Sequence, residues 1–138
     1  MAKTVVDIPR LAKYAWIMAN LSPAKLYHYR ATITVVYDGD TCTAAVDLGF
    51  KVTVRGEKIR LWLINAPQIR GANRKDGLAS RDFLRELILG SEVLLQTIRD
   101  KRGKYARYLG EIVVKQGRNN VNANDALVQD GHAEYVEF

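Results

Sequence analysis

The chain has 138 residues, 48% of them hydrophobic, which is enough for one domain with a packed core. Its 21 basic and 15 acidic residues give a net charge of +6, which favours a polyanionic partner, most commonly nucleic acid. One cysteine and two distant histidines exclude an intramolecular disulfide and argue against a tetrahedral zinc site, and no stretch reaches the roughly 18 apolar residues of a membrane span.

The first predicted element is a helical extension over residues 1–26. Leu11, Ala15 and Met18 recur at helical spacing. Lys13 interrupts the short apolar run, which argues against a signal peptide and favours the cytoplasm over secretion. We expect a monomer without membrane attachment, although a dimer formed through this helix stays open.

A second unit, residues 27–138, begins with a run of strand-like segments. Asp38-Gly39 predicts a tight turn after the first of them, and Arg55-Gly56-Glu57 predicts another turn before the last. Alternating apolar and polar residues predict strands at Tyr27–Tyr37, Thr41–Leu48, Lys51–Val54 and Lys58–Ile64. Short connections between such strands favour an antiparallel meander.

Two helices and two further strands complete the chain. A helix is predicted over Gly77–Leu89, with Asp76 as its cap and an apolar stripe of Ala79, Phe83 and Leu87, flanked by Leu84 and Ile88. Strands over Glu92–Ile98 and Tyr108–Val114 and a last helix over Asn122–Asp130 follow. This order predicts an α+β fold, an OB-type five-stranded antiparallel β-barrel with packed helices and the extra N-terminal helix.

Several polar residues could carry chemistry, but each has an ordinary explanation when taken alone. Asp40 could be a solvated turn residue, Arg60 could face water on an alternating strand, and Arg107 could be one more charge in a basic loop. Their order along the chain is more informative. "YDGDT", "IRLWLINAPQ", "GLASRDFLRELI", "DKRGKYARYLGEI" and "VNANDALVQDGHAEY" together resemble the staphylococcal nuclease (thermonuclease) family over about residues 29–138.

The resemblance implies Ca²⁺-dependent cleavage of phosphodiesters in single-stranded DNA and RNA. In such a site a hard cation with oxygen ligands neutralises the phosphate, a carboxylate accepts a proton from water, and two guanidinium groups stabilise the transition state. The resemblance assigns three groups of positions: metal contacts at Asp40, Asn65 and the Ala66 carbonyl; catalytic positions at Arg60, Gln68 and Arg107; and contacts with the phosphate end of the nucleotide at Lys104 and Tyr105.

The chain departs from the family pattern at two of these positions. Where the family has D-x-P-E, this sequence reads N-A-P-Q, so that Asn65 replaces a calcium carboxylate and Gln68 replaces the general base. One carboxylate of three remains, which should weaken Ca²⁺ binding. Loss of the base costs about 10²–10⁴-fold in rate. We therefore expect at most a feeble nuclease.

The two replacements are the closest isosteric ones available. This pattern favours the hypothesis that an active nuclease has been inactivated by design. The alternative is a natural pseudo-nuclease that serves as a nucleic-acid- or protein-binding OB module.

Overall fold

A computed structural model of the chain describes residues 27–103 and 107–137, with side chains described for residues 27–98 and 107–137. Some predictions lie outside these residues: the N-terminal helix, the division at residue 26, and the nucleotide contacts at Lys104 and Tyr105. Within the described ranges, no helix is long and apolar enough to cross a membrane.

Five long strands form a closed barrel, which confirms the predicted OB-type α+β fold. The first three, β1 (His28–Asp38), β2 (Thr41–Gly49) and β3 (Val52–Leu61), form the expected antiparallel meander. β5 (Glu92–Gly103) pairs with β1, and β6 (Arg107–Gln116) pairs with β5. A parallel pairing between β3 and β6 closes the barrel, so the sheet is mixed at its seam.

The predicted turn at Arg55-Gly56-Glu57 is wrong, because β3 continues through it. Gly56 has a φ of 70°, and the register between β2 and β3 shifts by one residue there. A glycine in this conformation can be accommodated as a bulge inside a strand as well as in a turn. The actual hairpin turn is at Gly49–Lys51, whose three residues all have positive φ, and it carries the fully exposed Phe50.

Three short strands were not predicted. β4 (Ile64–Asn65) pairs with β8 (Glu134–Tyr135), and β7 (Asn119–Asn122) extends the barrel sheet beyond β6. The predicted strand Lys58–Ile64 therefore ends at Leu61, and a turn containing Leu63, with a φ of 63°, leads into β4. This turn redirects the chain toward the candidate site, to which Asn65 and Ala66 contribute.

The long helix α1 (Arg74–Ile88) begins one turn before the predicted start. Asn73, rather than Asp76, is at the cap position, and Asp76 lies in the first turn. Of the predicted stripe, Phe83 and Leu87 are partly buried against the core, whereas Ala79 is exposed. The fully buried face consists of Gly77, Ser80 and the flanking Leu84 and Ile88. Gly77 lies so close to the next segment that a Cβ would be 2.6 Å from the Gln68 carbonyl oxygen. This close contact positions the loop after β4.

The second helix α2 (Ala123–Gln129) is shorter than predicted, because Asn122 is its cap and accepts a hydrogen bond from the Asp125 N–H at 3.1 Å. The core fills the barrel and continues under both helices. Its largest fully buried hydrophobic side chains are Ile33, Ile59, Leu61, Ile64, Leu84, Ile88, Leu95, Ile112 and Leu127. At the seam, Gly110 leaves room for Ile59 and Leu95, whose side-chain atoms would lie 2.7 and 2.9 Å from an added Cβ.

Candidate phosphate-binding site

The turn between β1 and β2 forms one wall of the site. A Cβ on Gly39 would lie 2.6 Å from the Ser80 Cβ and 2.7 Å from the Ala66 Cβ, so only glycine lets the turn pack this closely against α1 and the segment after β4. The Asp40 N–H donates to the Asp38 Oδ1 at 3.1 Å. These contacts fix the direction in which Asp40 leaves the turn.

Asp40 is a buried carboxylate, and each of its two oxygens accepts a hydrogen bond from another protein group. Its Oδ2 accepts from the Ala66 N–H at 2.9 Å and lies 3.3 Å from Arg60 Nη2, while its Oδ1 accepts from the Thr41 hydroxyl at 3.2 Å. The side chain is only 10% exposed. Burial raises the pKa of Asp40 to about 6, although the Ala66 N–H and the Arg60 charge act in the opposite direction.

Arg60 lies on β3 and joins Asp40 to Asn65 at the end of β4. Its Nη1 donates to the Leu61 carbonyl at 2.9 Å, and its Nη2 donates to Asn65 Oδ1 at 3.3 Å. Burial lowers the pKa of Arg60, Asp40 raises it, and Arg107 lowers it further. Because Arg107 affects the pKa of Arg60, the two guanidinium groups are close enough for their charges to repel each other.

Arg107 is brought to the site by closure of the barrel. β6 begins at Arg107, and the parallel seam sets Ile59 beside Tyr108 and Arg60 beside Leu109. Arg107 Nη1 then donates to the Thr41 hydroxyl at 3.3 Å. Thr41 thus bridges the carboxylate of Asp40 and the second guanidinium group, so one connected cluster contains the predicted residues Asp40, Arg60, Asn65, Ala66 and Arg107.

Gln68 lies in the same loop but does not join this cluster. It is exposed, and its side chain makes no hydrogen bond with any residue in the described ranges. Its backbone is held by the close packing of Gly77 against residues 68 and 69. The position of Gln68 therefore depends on helix packing and not on hydrogen bonds of its own side chain.

The comparison with known families identifies the family and covers the C-terminal part of the chain. A model of the staphylococcal nuclease homologue family matches residues 58–138, which is more than half of the chain. The chain belongs to this family. The match includes Arg60, Asn65 and Arg107 and begins after the turn that carries Asp40. No curated protein matches the chain.

Members of the staphylococcal nuclease family are typically Ca²⁺-dependent, but the donors near Asp40 do not fit a resident Ca²⁺ ion. Ca²⁺ takes six to eight oxygen ligands and prefers several carboxylates. Here both Asp40 oxygens already accept hydrogen bonds, and the Asn65 oxygen faces the Arg60 guanidinium group. In the described part of the chain, no group of three or more His, Cys, Asp or Glu side chains could hold a metal.

Two residues that support the nuclease-family site were missed in the sequence. Thr41 follows Asp40 directly, and its hydroxyl was not considered as the link to Arg107. Asn124 is 2% exposed and spans the seam: it accepts from the Ile112 N–H and donates to the carbonyls of Trp62 and Gly110, at 3.1 to 3.2 Å. In the sequence, Asn124 has the features of an ordinary residue near a helix cap, so no local pattern predicts its hydrogen bonds across the seam.

Proposed function

We propose that this chain binds phosphodiesters of single-stranded nucleic acid in the site of a Ca²⁺-dependent nuclease, and that it hydrolyses them poorly or not at all. The observation that carries the proposal is the convergence of Arg60 and Arg107 around Asp40 and Thr41. Guanidinium groups bind phosphate oxygens through two parallel hydrogen bonds and keep their charge at all accessible pH values. Two such groups in one cluster are suited to an anionic ester.

Hydrolysis requires a proton acceptor beside the attacking water, and Gln68 cannot act as one near neutral pH. Asp40 is a poor substitute, because its oxygens are engaged by the Ala66 N–H, the Thr41 hydroxyl and Arg60. The poor donor set for Ca²⁺ removes a second source of activated water. Lys104 and Tyr105, by their resemblance to the family pair, are proposed to contact the phosphate end of a bound nucleotide.

Binding can be tested with a fluorescent single-stranded oligonucleotide titrated at several salt concentrations in EDTA. A phosphate-binding cleft gives a straight line of negative slope between log affinity and log salt concentration. Arg107→Met should weaken binding and reduce the slope by about one. Arg118→Met is the matched control, because Arg118 is exposed at the turn between β6 and β7. A flat slope in the parent chain would refute the phosphate site and favour a protein-binding OB module.

Catalytic impairment can be tested by restoring both carboxylates. Asn65→Asp combined with Gln68→Glu should produce EGTA-sensitive cleavage of single-stranded DNA in the presence of Ca²⁺. The control carries Gln116→Glu and Asn119→Asp, which add the same charge on the exposed hairpin between β6 and β7. No gain in the restored variant would refute the inactivated-enzyme proposal and support the alternative, a natural pseudo-nuclease that only binds.

A further inference from the structure

A β-bulge at the end of β1 exposes an aromatic ring beside the candidate site. Val36 is paired with Cys42 and Asp38 with Thr41, so Tyr37 is an extra residue on β1 with no partner of its own on β2. Val36 is 1% exposed and faces the core, whereas Tyr37 is 71% exposed. Bulges are frequent next to functional sites because they redirect a side chain.

Guanidinium groups lie on both edges of the part of β1 that carries this ring. Toward the barrel seam, Thr41 is paired with Arg60 and accepts a hydrogen bond from Arg107. Because neighbouring strands are about 4.8 Å apart, the backbones of Tyr37 on β1 and Arg60 on β3 are separated by about 10 Å. On the other edge of β1, Arg85 of α1 donates to the Val36 carbonyl through Nε at 3.3 Å and Nη2 at 3.2 Å.

We propose that Tyr37 is a stacking platform for one base of a bound single strand. The flanking phosphates of that nucleotide would lie against Arg60 and Arg107 on one side and Arg85 on the other. The order cation, aromatic ring, cation matches the order phosphate, base, phosphate along a nucleic-acid strand. The inference rests on the proposed function, since it requires a phosphodiester at the arginine pair.

The composition of this surface supports a nucleic-acid strand over an apolar partner. The path contains three guanidinium groups and the two carboxylates of Asp38 and Asp40, which leaves an excess of one positive charge. The exposed apolar surface here is small. Val35, which is 45% exposed, lies before the bulge, and its cross-strand neighbours are Thr43 on β2 and then the exposed Lys58 on β3. An aromatic ring within a basic path suits sequence-tolerant stacking, because every base has a π-face.

The test compares two fluorescent probes of about ten nucleotides, an oligothymidylate and an abasic chain of the same backbone length, in EDTA. Tyr37→Ala should weaken binding of the oligothymidylate about 5- to 140-fold and leave the abasic probe unchanged. Tyr37→Phe should keep the parent affinity, because it keeps the ring. Phe50→Ala is the matched control, since Phe50 is a fully exposed aromatic at the far end of the β2–β3 hairpin, and it should change neither affinity.

Two outcomes would overturn the stacking platform while leaving the phosphate site intact. In the first, Tyr37→Ala binds the oligothymidylate as tightly as the parent chain, although Arg107→Met binds it more weakly. In the second, Tyr37→Ala weakens both probes equally, which would mean that the ring supports the backbone site and not a base. If the parent chain binds neither probe, the proposed function and the stacking platform both fail.

Discussion

Replacing Asp40 by asparagine tests whether burial or the ion pair with Arg60 dominates the stability of the site. The pKa of Asp40 is raised from 3.8 to about 6, chiefly by burial, so the folded chain binds this proton more tightly than the unfolded chain does. The stabilising contribution of Asp40 is therefore complete below a pH of about 4 and is lost as the pH rises through about 6. A shift of this size corresponds to at most about 3 kcal/mol.

An asparagine side chain cannot ionise, so the Asp40→Asn variant should show no such loss. At pH 4 the two proteins should have similar stability, and at pH 8 the variant should be more stable by up to about 3 kcal/mol. The opposing expectation comes from Arg60, because removing one partner of a buried ion pair commonly destabilises a protein by about 3–5 kcal/mol. Arg60 would still donate to the Leu61 carbonyl and to Asn65, which limits this loss.

The assay is urea unfolding from pH 4 to pH 8 in EDTA, with Asp82→Asn as the control. Asp82 is 63% exposed and pairs with Arg81 on the surface of α1, so its replacement should change the free energy of unfolding by less than about 1 kcal/mol. If Asp40→Asn is less stable than the parent chain at pH 8, the ion pair outweighs burial. That result would refute the electrostatic account of the site given above.

Three further predictions concern the supports of the site and its charge. Asn124→Leu should lower the free energy of unfolding by about 2–4 kcal/mol in urea, because three hydrogen bonds to backbone groups at the seam are lost, and an unchanged midpoint would contradict this. Gly77→Ala should destabilise the chain despite the better helix propensity of alanine, since a Cβ would meet the Gln68 carbonyl at 2.6 Å; equal or greater stability in the same assay would refute the contact. Asn65→Asp should weaken oligonucleotide binding in EDTA, because a second carboxylate would compete for Arg60, and tighter binding would refute this.

The sequence predicted the fold well where periodicity is long and regular. The alternation holds along β2 and along β1 as far as Ile33, where the first bulge reverses it, and Leu84 and Ile88, which flank the predicted stripe of α1, are buried. It failed at Gly56, because a glycine with positive φ has the same local signal in a turn and in a bulge. The pairing of β4 with β8 could not be predicted, since two-residue strands carry no period.

The candidate site was predictable in part for a related reason. Asp40, Arg60 and Asn65 lie in short motifs whose order along the chain could be compared with a known family. Thr41 and Asn124 act through contacts that form only when β3 and β6 pair. Their neighbours in sequence therefore do not predict that Thr41 binds Arg107 or that Asn124 binds the seam backbone. Such residues are found by asking which buried polar groups need a partner across the seam.

The proposed function requires binding and hydrolysis to be separable in this barrel, and different groups would support them. The phosphate-binding half is held by Gly39 packing, the Ala66 N–H and the Thr41 bridge, none of which needs a carboxylate at residues 65 or 68. Asn65 still accepts a hydrogen bond from Arg60, as an aspartate oxygen would, so removing its charge leaves the guanidinium group aimed as before. Metal and proton handling have no such geometric substitute, since they depend on the charge itself. On this proposal, the two amides leave the arginine cluster assembled and remove the charges that metal binding and proton transfer would need.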